Sequence, residues 1–302
     1  ELQVFIQTAI GLPRMPIEAV RAAVVRVADG DRRDEIRDWL NALTWDGTPR
    51  LGKVMTLGFG TEDTDLAMIA GGNLFKALAQ RARAPGSKAD HVLILDGAQG
   101  IKKTSALEII GGQGYGSLHS QIGSKDLLVE MVGLWLIELT ELASLSRRDA
   151  EAIKGFISLR CDRFRPPYGR HVVEVPRRCI FVGSTNESAY LRDATGARRF
   201  VPIRCGDIDL GWIEANREQC FAEAIHRLDA GDTWWGLPEQ EAERERDERY
   251  ESDPWHEPIE LYLCDKDSVV MSELLAGAVN VDVSRQGKSE QILGKAIQGK
   301  RD

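Results

Sequence analysis

A glycine- and lysine-rich octet, GAQGIKKT, occupies positions 97–104 and has the residue types of a phosphate-binding loop. It follows an apolar run, HVLILD, and leads into helix-like residues, TSALEII. A phosphate loop needs this context, because backbone N–H groups and a helix N-terminus must point at the phosphate oxygens. The octet therefore predicts a nucleotide site whose cofactors are ATP and Mg²⁺. Its residues are Gly97, Ala98, Gln99, Gly100, Ile101, Lys102, Lys103 and Thr104.

Three positions of this octet determine its chemistry. We expect Lys103 to reach the β- and γ-phosphates, and the Thr104 hydroxyl to hold Mg²⁺. Lys102 departs from the usual pattern, GxxxxGK[ST], which has glycine at that position. A non-glycine residue there must adopt the backbone conformation of the loop without strain. The alternative interpretation is a glycine-rich turn with incidental lysines.

A second apolar run, LWLIELTEL at 134–142, ends in acidic residues. A carboxylate at the end of a buried strand is where a nucleotide-hydrolysing site holds its metal or polarises water. Glu138 is expected to support Mg²⁺ or to polarise water, and Glu141 is the other candidate for the catalytic base. The residue types leave the assignment between them open. The alternative is an acidic pair on the surface beyond a core strand.

The third apolar run, CIFVGSTN at 179–186, ends in polar residues. Asn186 is in a position to orient the attacking water or to sense the γ-phosphate. An isolated asparagine at the end of a strand is otherwise a common turn former. The sensor role therefore depends on the two preceding motifs.

The next segment, RDATGARRF at 192–200, supplies Arg192, Arg198 and Arg199. An arginine placed against the transferring phosphoryl group stabilises the charge that develops there. Arg198 and Arg199 are the candidates for this catalytic role. The alternative is that these arginines form surface ion pairs.

A basic segment, RCDRFRPPYGRHVVEVPRR, spans residues 160–178 of a chain whose net charge is −8. It reads as a strand, a PPYG turn and a returning strand. Arginine pairs with phosphates and tyrosine stacks on bases, so this hairpin is the candidate contact with single-stranded or forked DNA. The residues expected near its tip are Arg163, Arg165, Tyr168 and Arg170. The remaining arginines of the segment are Arg160, Arg177 and Arg178. A basic surface hairpin or a subunit contact is the alternative.

Apolar periodicity places these motifs in an α/β fold with a largely parallel sheet. Strands are predicted at 91–96, 134–138, 179–186 and 198–204, and helices within 16–43, 62–83, 123–133 and 146–159. The predicted division is a helical N-terminal region at 1–88, a P-loop NTPase core at 89–235, and a mainly helical or partial winged-helix region at 236–302. In the last region, 239–250 is predicted as a charged, solvated helix, and 271–280 and 289–300 as short helices.

Composition excludes several classes of protein. No apolar run approaches the ~20 residues that span a bilayer, and the N-terminus lacks the pattern of a signal peptide. The 5 cysteines are scattered, without a CxxC pair, and the 5 histidines are scattered too. This argues against a zinc site and favours reduced thiols in a cytoplasm.

Several runs together resemble the virulence-associated protein E family, in order and over roughly Trp45–Arg204. They are WDGTPRLG, RARAPGSK, the P-loop, WLIELTEL, RRDAEAIKGFISLRCDRFRPPYGR, CIFVGSTNE and LRDATGARRF. The resemblance implies a phage- or island-encoded P-loop ATPase of the AAA+ type, related to superfamily 3 helicases. It further implies a homo-oligomeric ring, with a hexamer favoured, and an arginine supplied in trans. The DNA-contacting hairpin of relatives falls where residues 163–171 lie.

The leading hypothesis is an ATP-dependent DNA helicase or translocase core that acts in replication of a phage or mobile element. A nucleotide-gated DNA-binding or partner-recruiting scaffold with little turnover is the alternative. A small-molecule P-loop kinase is a third hypothesis, which the arginine-rich hairpin and the paired glutamates argue against.

Overall fold

The computed structural model describes residues 16–30, 33–118, 124–140, 153–166, 171–191, 197–250, 256–264 and 269–278. Four helices precede or flank the first strands: α1 (Ile17–Gly30), α2 (Glu35–Ala42), α3 (Asp65–Arg83) and α4 (Lys103–Gly111). The later helices are α5 (Lys125–Glu130), α6 (Leu210–Asp229), α7 (Glu239–Glu248), α8 (His256–Leu263) and α9 (Met271–Ala278). Residues 153–157 are also helical.

Five strands form one parallel sheet in the order β2-β3-β6-β1-β7. They are β1 (Val92–Asp96), β2 (Tyr115–Ser117), β3 (Leu136–Leu139), β6 (Ile180–Thr185) and β7 (Phe200–Arg204). A separate antiparallel pair consists of β4 (Cys161–Phe164) and β5 (Val173–Pro176). The mixed α/β architecture with a parallel sheet, predicted from alternating strand and helix patterns, is therefore confirmed.

Both faces of the sheet are covered, which explains why its strands are continuously apolar. In β1, Leu93 and Leu95 belong to one buried cluster, and Val92 and Ile94 belong to a second. The first cluster contains residues of α2, α3, α4, α6 and α7, and the second contains residues of α5 and the helical segment 153–157. The N-terminal helices and the sheet therefore share one core.

An aromatic cluster fixes the N-terminal helices against the sheet. Trp135, just before β3, is fully buried and stacks on Phe221 of α6 with ring centroids 5.1 Å apart. Trp39 of α2 meets the edges of both rings. The indole N–H of Trp135 donates to the Leu78 carbonyl of α3 at 2.9 Å, so its polar atom is satisfied inside the core.

The two strands of the predicted basic hairpin pair in antiparallel fashion, and a buried arginine holds their base. Most of the predicted turn lies outside the described residues. Arg177 forms a two-point ion pair with Asp162 of β4 through Nε and Nη2, and its Nη1 donates to the Phe156 carbonyl at 2.5 Å. The guanidinium also lies 4.4 Å from the centroid of the Phe156 ring. Planar guanidinium groups suit this combination of a forked ion pair and ring stacking. Arg177 is therefore structural and cannot reach a ligand.

The predicted elements agree with the structure with a few exceptions. The edge strand β2 is short and was not predicted, and the helices α6 and α8 were also missed. The charged helix at 239–250 was interpreted as a solvated face, but Ala242, Arg246 and Arg249 on one side of it are buried. The predicted helix at 289–300 lies outside the described residues.

We expect Arg177→Met to lower the free energy of unfolding by about 3–5 kcal/mol, because it leaves the Asp162 carboxylate buried without its cation. Urea unfolding followed by circular dichroism measures the change. Arg163→Met is the matched control, since that side chain is 73% exposed and 3.6 Å from Glu174. We expect the control to stay within about 0.5 kcal/mol of wild type. Equal stability losses in the two variants would contradict the assigned role of Arg177.

Candidate nucleotide site

The strand order brings the predicted motifs to one edge of the sheet. β6 lies between β1 and β3, and all three strands run parallel. Their carboxyl ends therefore meet at the same edge, which is where open α/β sheets bind ligands. The octet 97–104 follows β1, Glu138 lies near the end of β3, and Asn186 comes directly after β6.

The backbone of the octet forms a tight loop between β1 and α4. Gly100 has φ +86°, and a Cβ there would meet no atom within 4 Å, so the loop leaves open space at this point. Lys103 is the first residue of α4, and its ammonium donates to the carbonyls of Gly97 at 2.8 Å and Ala98 at 3.0 Å. Lys103, which is predicted to bind phosphate, therefore lies across the loop that is predicted to hold the phosphate.

Lys102 adopts the left-handed conformation, with φ +72° and ψ +30°. Among the residues that the structure describes, it is the only non-glycine with positive φ. A residue with a Cβ pays about 1–2 kcal/mol for this conformation. Lys102 therefore takes a conformation that glycine adopts without this cost.

Glu138 is fully buried and accepts three hydroxyl hydrogen bonds. Its Oε1 accepts from Thr104 at 3.1 Å and from Ser184 at 2.5 Å, and its Oε2 accepts from Tyr115 at 2.5 Å. These contacts join the loop, β6 and β2 to β3 through one carboxylate. The structure thus brings together Thr104 and Glu138, the two predicted Mg²⁺ ligands.

The sequence reasoning missed two partners of this carboxylate, Tyr115 and Ser184. Burial raises the pKa of Tyr115, and its hydrogen bond to Glu138 raises it further, so the phenol remains a donor. Ser184 lies within the predicted GSTNE motif, so its position on β6 was a usable signal. Tyr115 gave no comparable signal, because its strand is only three residues long.

The two candidate catalytic arginines lie at the opposite edge of the sheet from the loop. Arg198 and Arg199 form a 3₁₀ turn just before β7. Phe200 pairs with Val92 at the start of β1, whereas Arg204 pairs with Asp96 at its end. Arg198 and Arg199 are therefore separated from their own loop by the length of a strand, and the structure does not bring them to it within one chain.

The structure describes only some of the remaining predicted residues. Asn186 is exposed at the edge that carries the loop. Arg163 and Arg165 are exposed on the β4 side of the hairpin. Arg160 donates to the Gly86 carbonyl at 2.7 Å, and Arg178 pairs with Asp34 at 2.6 Å, so both contribute to the fold. Glu141, Tyr168, Arg170 and Arg192 lie outside the described residues.

A buried ion pair at the start of the loop was not anticipated. Asp96, the last residue of β1, pairs with Arg249 just after α7. The Tyr190 hydroxyl lies 3.5 Å from the same carboxylate. The available signal for a buried side was the spacing of Ala242, Arg246 and Arg249, which is that of one helix face.

The described residues contain no helix long and apolar enough to cross a membrane. They also contain no group of three or more His, Cys, Asp or Glu side chains arranged to hold a metal ion. All five cysteines are free.

A family model described as a virulence-associated protein E-like domain matches residues 40–253, and the chain belongs to this family. No curated protein matches the chain. The apo structure of the NrS-1 C-terminal region (305–718) is similar, with a TM-score of 0.51, 16% identity and coverage of 83% of this chain. An A-form apo structure of the same region has a TM-score of 0.49 at 14% identity, and covers 83% of this chain and 63% of that one. The chain spans 64% of the first matched structure, and at this identity the likeness concerns the fold alone.

We expect Lys102→Gly to raise the free energy of unfolding, by up to about 1 kcal/mol, because the left-handed strain exceeds the added entropy of an unfolded glycine. Lys102→Asn should raise the free energy of unfolding by a smaller amount. Lys102→Val should lower it, because a branched Cβ tolerates positive φ poorly. Thermal and urea unfolding of the three variants give the ranking. Glycine less stable than lysine at this position would contradict the left-handed assignment.

Proposed function

We propose that this chain binds and hydrolyses ATP with Mg²⁺, and uses the energy to move along single-stranded or forked DNA in replication of a phage or mobile element. The observation that carries the proposal is the hydrogen bond between Thr104 and the buried Glu138. It lies at the carboxyl ends of the strands, next to the loop in which Lys102 has left-handed torsions. Family membership and the fold support the same assignment.

The residues present fit a magnesium nucleotide. Glu138 is buried among neutral hydroxyl groups, and within the described part of the chain no lysine or arginine forms an ion pair with it. A buried carboxylate without a counter-charge is costly, and a divalent cation held with Thr104 would supply that charge. Mg²⁺ typically uses one or two protein oxygens together with phosphate oxygens and water, so a closed cluster of acids is not required.

The roles of this chain's residues follow from their positions. The N–H groups of the loop and the N-terminus of α4 bind phosphate oxygens. Lys103 replaces its hydrogen bonds to the two loop carbonyls with contacts to phosphate. When bound, Mg²⁺ neutralises charge on the transferring phosphoryl group. Glu138 already accepts three hydroxyl donors, so it suits a metal-holding role better than proton abstraction. Glu141 is then the preferred base, and Asn186 orients the water.

A ring assembly accounts for the position of the two arginines. Arg198 and Arg199 lie at the edge of the sheet remote from their own loop. An arginine in that position can complete a site only on a neighbouring subunit. We therefore propose a homo-oligomeric AAA+-type ring, with a hexamer favoured, in which one of these arginines acts in trans.

We expect wild-type protein to hydrolyse ATP faster when single-stranded DNA is added, and Lys103→Ala to lose at least about 100-fold in turnover. Glu141→Gln should lose turnover while retaining nucleotide binding, and Glu138→Gln should require more Mg²⁺. Steady-state phosphate release at several Mg²⁺ concentrations separates these effects. Full activity in Lys103→Ala would refute the proposal, and ATP binding without turnover in the assembled wild type would favour the scaffold alternative.

We expect Arg163→Ala and Arg165→Ala each to weaken binding to single-stranded DNA, and to reduce the salt dependence of binding by about one counterion. Fluorescence anisotropy across a salt titration measures both quantities. Arg83→Ala, which removes a surface arginine paired with Asp229 at 2.8 Å, is the control and should leave DNA binding unchanged. Unchanged affinity and salt slope in both hairpin variants would remove the hairpin from the DNA interface.

A further inference from the structure

The phosphate loop begins at a buried charge pair that the proposed mechanism does not use. Asp96 directly precedes Gly97, and its side chain is held by Arg249 from beyond the end of α7. The Asp96 carbonyl also accepts the Cys205 N–H at 2.7 Å. Asp96, the residue just before the loop, is therefore fixed both through its main chain, by the residue that follows β7, and through its side chain, by Arg249.

Arg249 also holds the segment that follows β6. Its main-chain carbonyl accepts the N–H groups of Tyr190 at 3.1 Å and Leu191 at 3.0 Å. Those residues lie four and five positions after Asn186, on the segment that leads from β6 toward Arg198. Arg249 thus contacts Asp96, at the base of the phosphate loop, with its side chain. With its backbone it contacts the segment that follows Asn186.

The charges around Arg249 favour this arrangement. Its guanidinium faces Asp96, Glu245 at 2.7 Å and Glu248 at 3.8 Å. The Tyr190 hydroxyl lies 3.5 Å from the same Asp96 oxygen that Arg249 contacts. Burial lowers the pKa of Arg249, but the hydrogen bond and charge of Asp96 outweigh burial and raise it. Arg249 is only 6% exposed, so its contacts are made within the protein.

We propose that Arg249 is a positioning residue of the nucleotide site, and that α7 is an integral part of this site. Through Asp96 it holds the phosphate loop in its binding conformation, and through Tyr190 and Leu191 it keeps the Asn186 segment beside that loop. This inference rests on the proposed nucleotide binding. It assigns a role in ligand affinity to the end of a helix that was interpreted from its sequence as a solvated face.

The test separates affinity from stability with one single and one double variant. Arg249→Met leaves Asp96 buried without its partner, and we expect it to lower the melting temperature and weaken Mg·ATP binding about 10-fold or more. Asp96→Asn combined with Arg249→Met removes the unpaired charge. We expect the double variant to regain much of the lost melting temperature but to bind nucleotide as weakly as the single variant.

Two controls make the outcome decisive, with binding of a fluorescent ATP analogue measured at a temperature where every variant is folded. Arg177→Met breaks the other buried arginine–aspartate pair, away from the loop, and should keep wild-type affinity. Lys103→Ala should lose binding. Wild-type affinity in Arg249→Met or in the double variant would overturn the inference, as would equal weakening in Arg177→Met. No binding by wild-type protein would instead refute the proposed nucleotide site itself.

Discussion

The desolvation of one carboxylate constrains the whole edge of the sheet. Glu138 has no contact with water, so every lone pair it directs inward must find a donor. Three different elements supply those donors, through Thr104, Ser184 and Tyr115. The relative positions of α4, β6 and β2 around β3 are thereby coupled to a single side chain. A shift in any of these elements leaves a buried anion less well solvated, which is costly at low dielectric.

Much of this edge could be predicted from sequence, because the information is local. Four apolar runs identified β1, β3, β6 and β7, and the glycine-rich octet identified the turn after the first of them. The parallel arrangement then required the polar ends of these strands to meet. The sequence identified Lys102 as the irregular position but left open whether it could adopt the backbone of the loop, and the structure gives it a positive φ.

The rest depends on contacts between residues distant in sequence. Tyr115 reaches Glu138 from a three-residue strand, and Arg249 reaches Asp96 across 153 positions. Tyr115 has no local pattern. The spacing of Arg249 on a helix face with Ala242 and Arg246 suggests burial, but it does not identify Asp96 as the partner. The helix α6 was also missed, and its buried Glu223 depends on contacts distant in sequence: its carboxylate accepts the N–H groups of Arg50 at 2.5 Å and Leu51 at 2.9 Å.

The ion pair between Arg177 and Asp162 ties the arginine-rich hairpin to the central sheet. Arg177 lies three residues before β6 and grips β4 through Asp162, so both strands of the hairpin are fixed at a point continuous with the central sheet. A hairpin fixed only by its tip or by a flexible linker would move independently of the sheet. Any rotation of the amino end of β6 would therefore carry the hairpin with it. Because displacement grows with distance from the pivot, Arg165, beyond the end of β4, would move farther than Asp162.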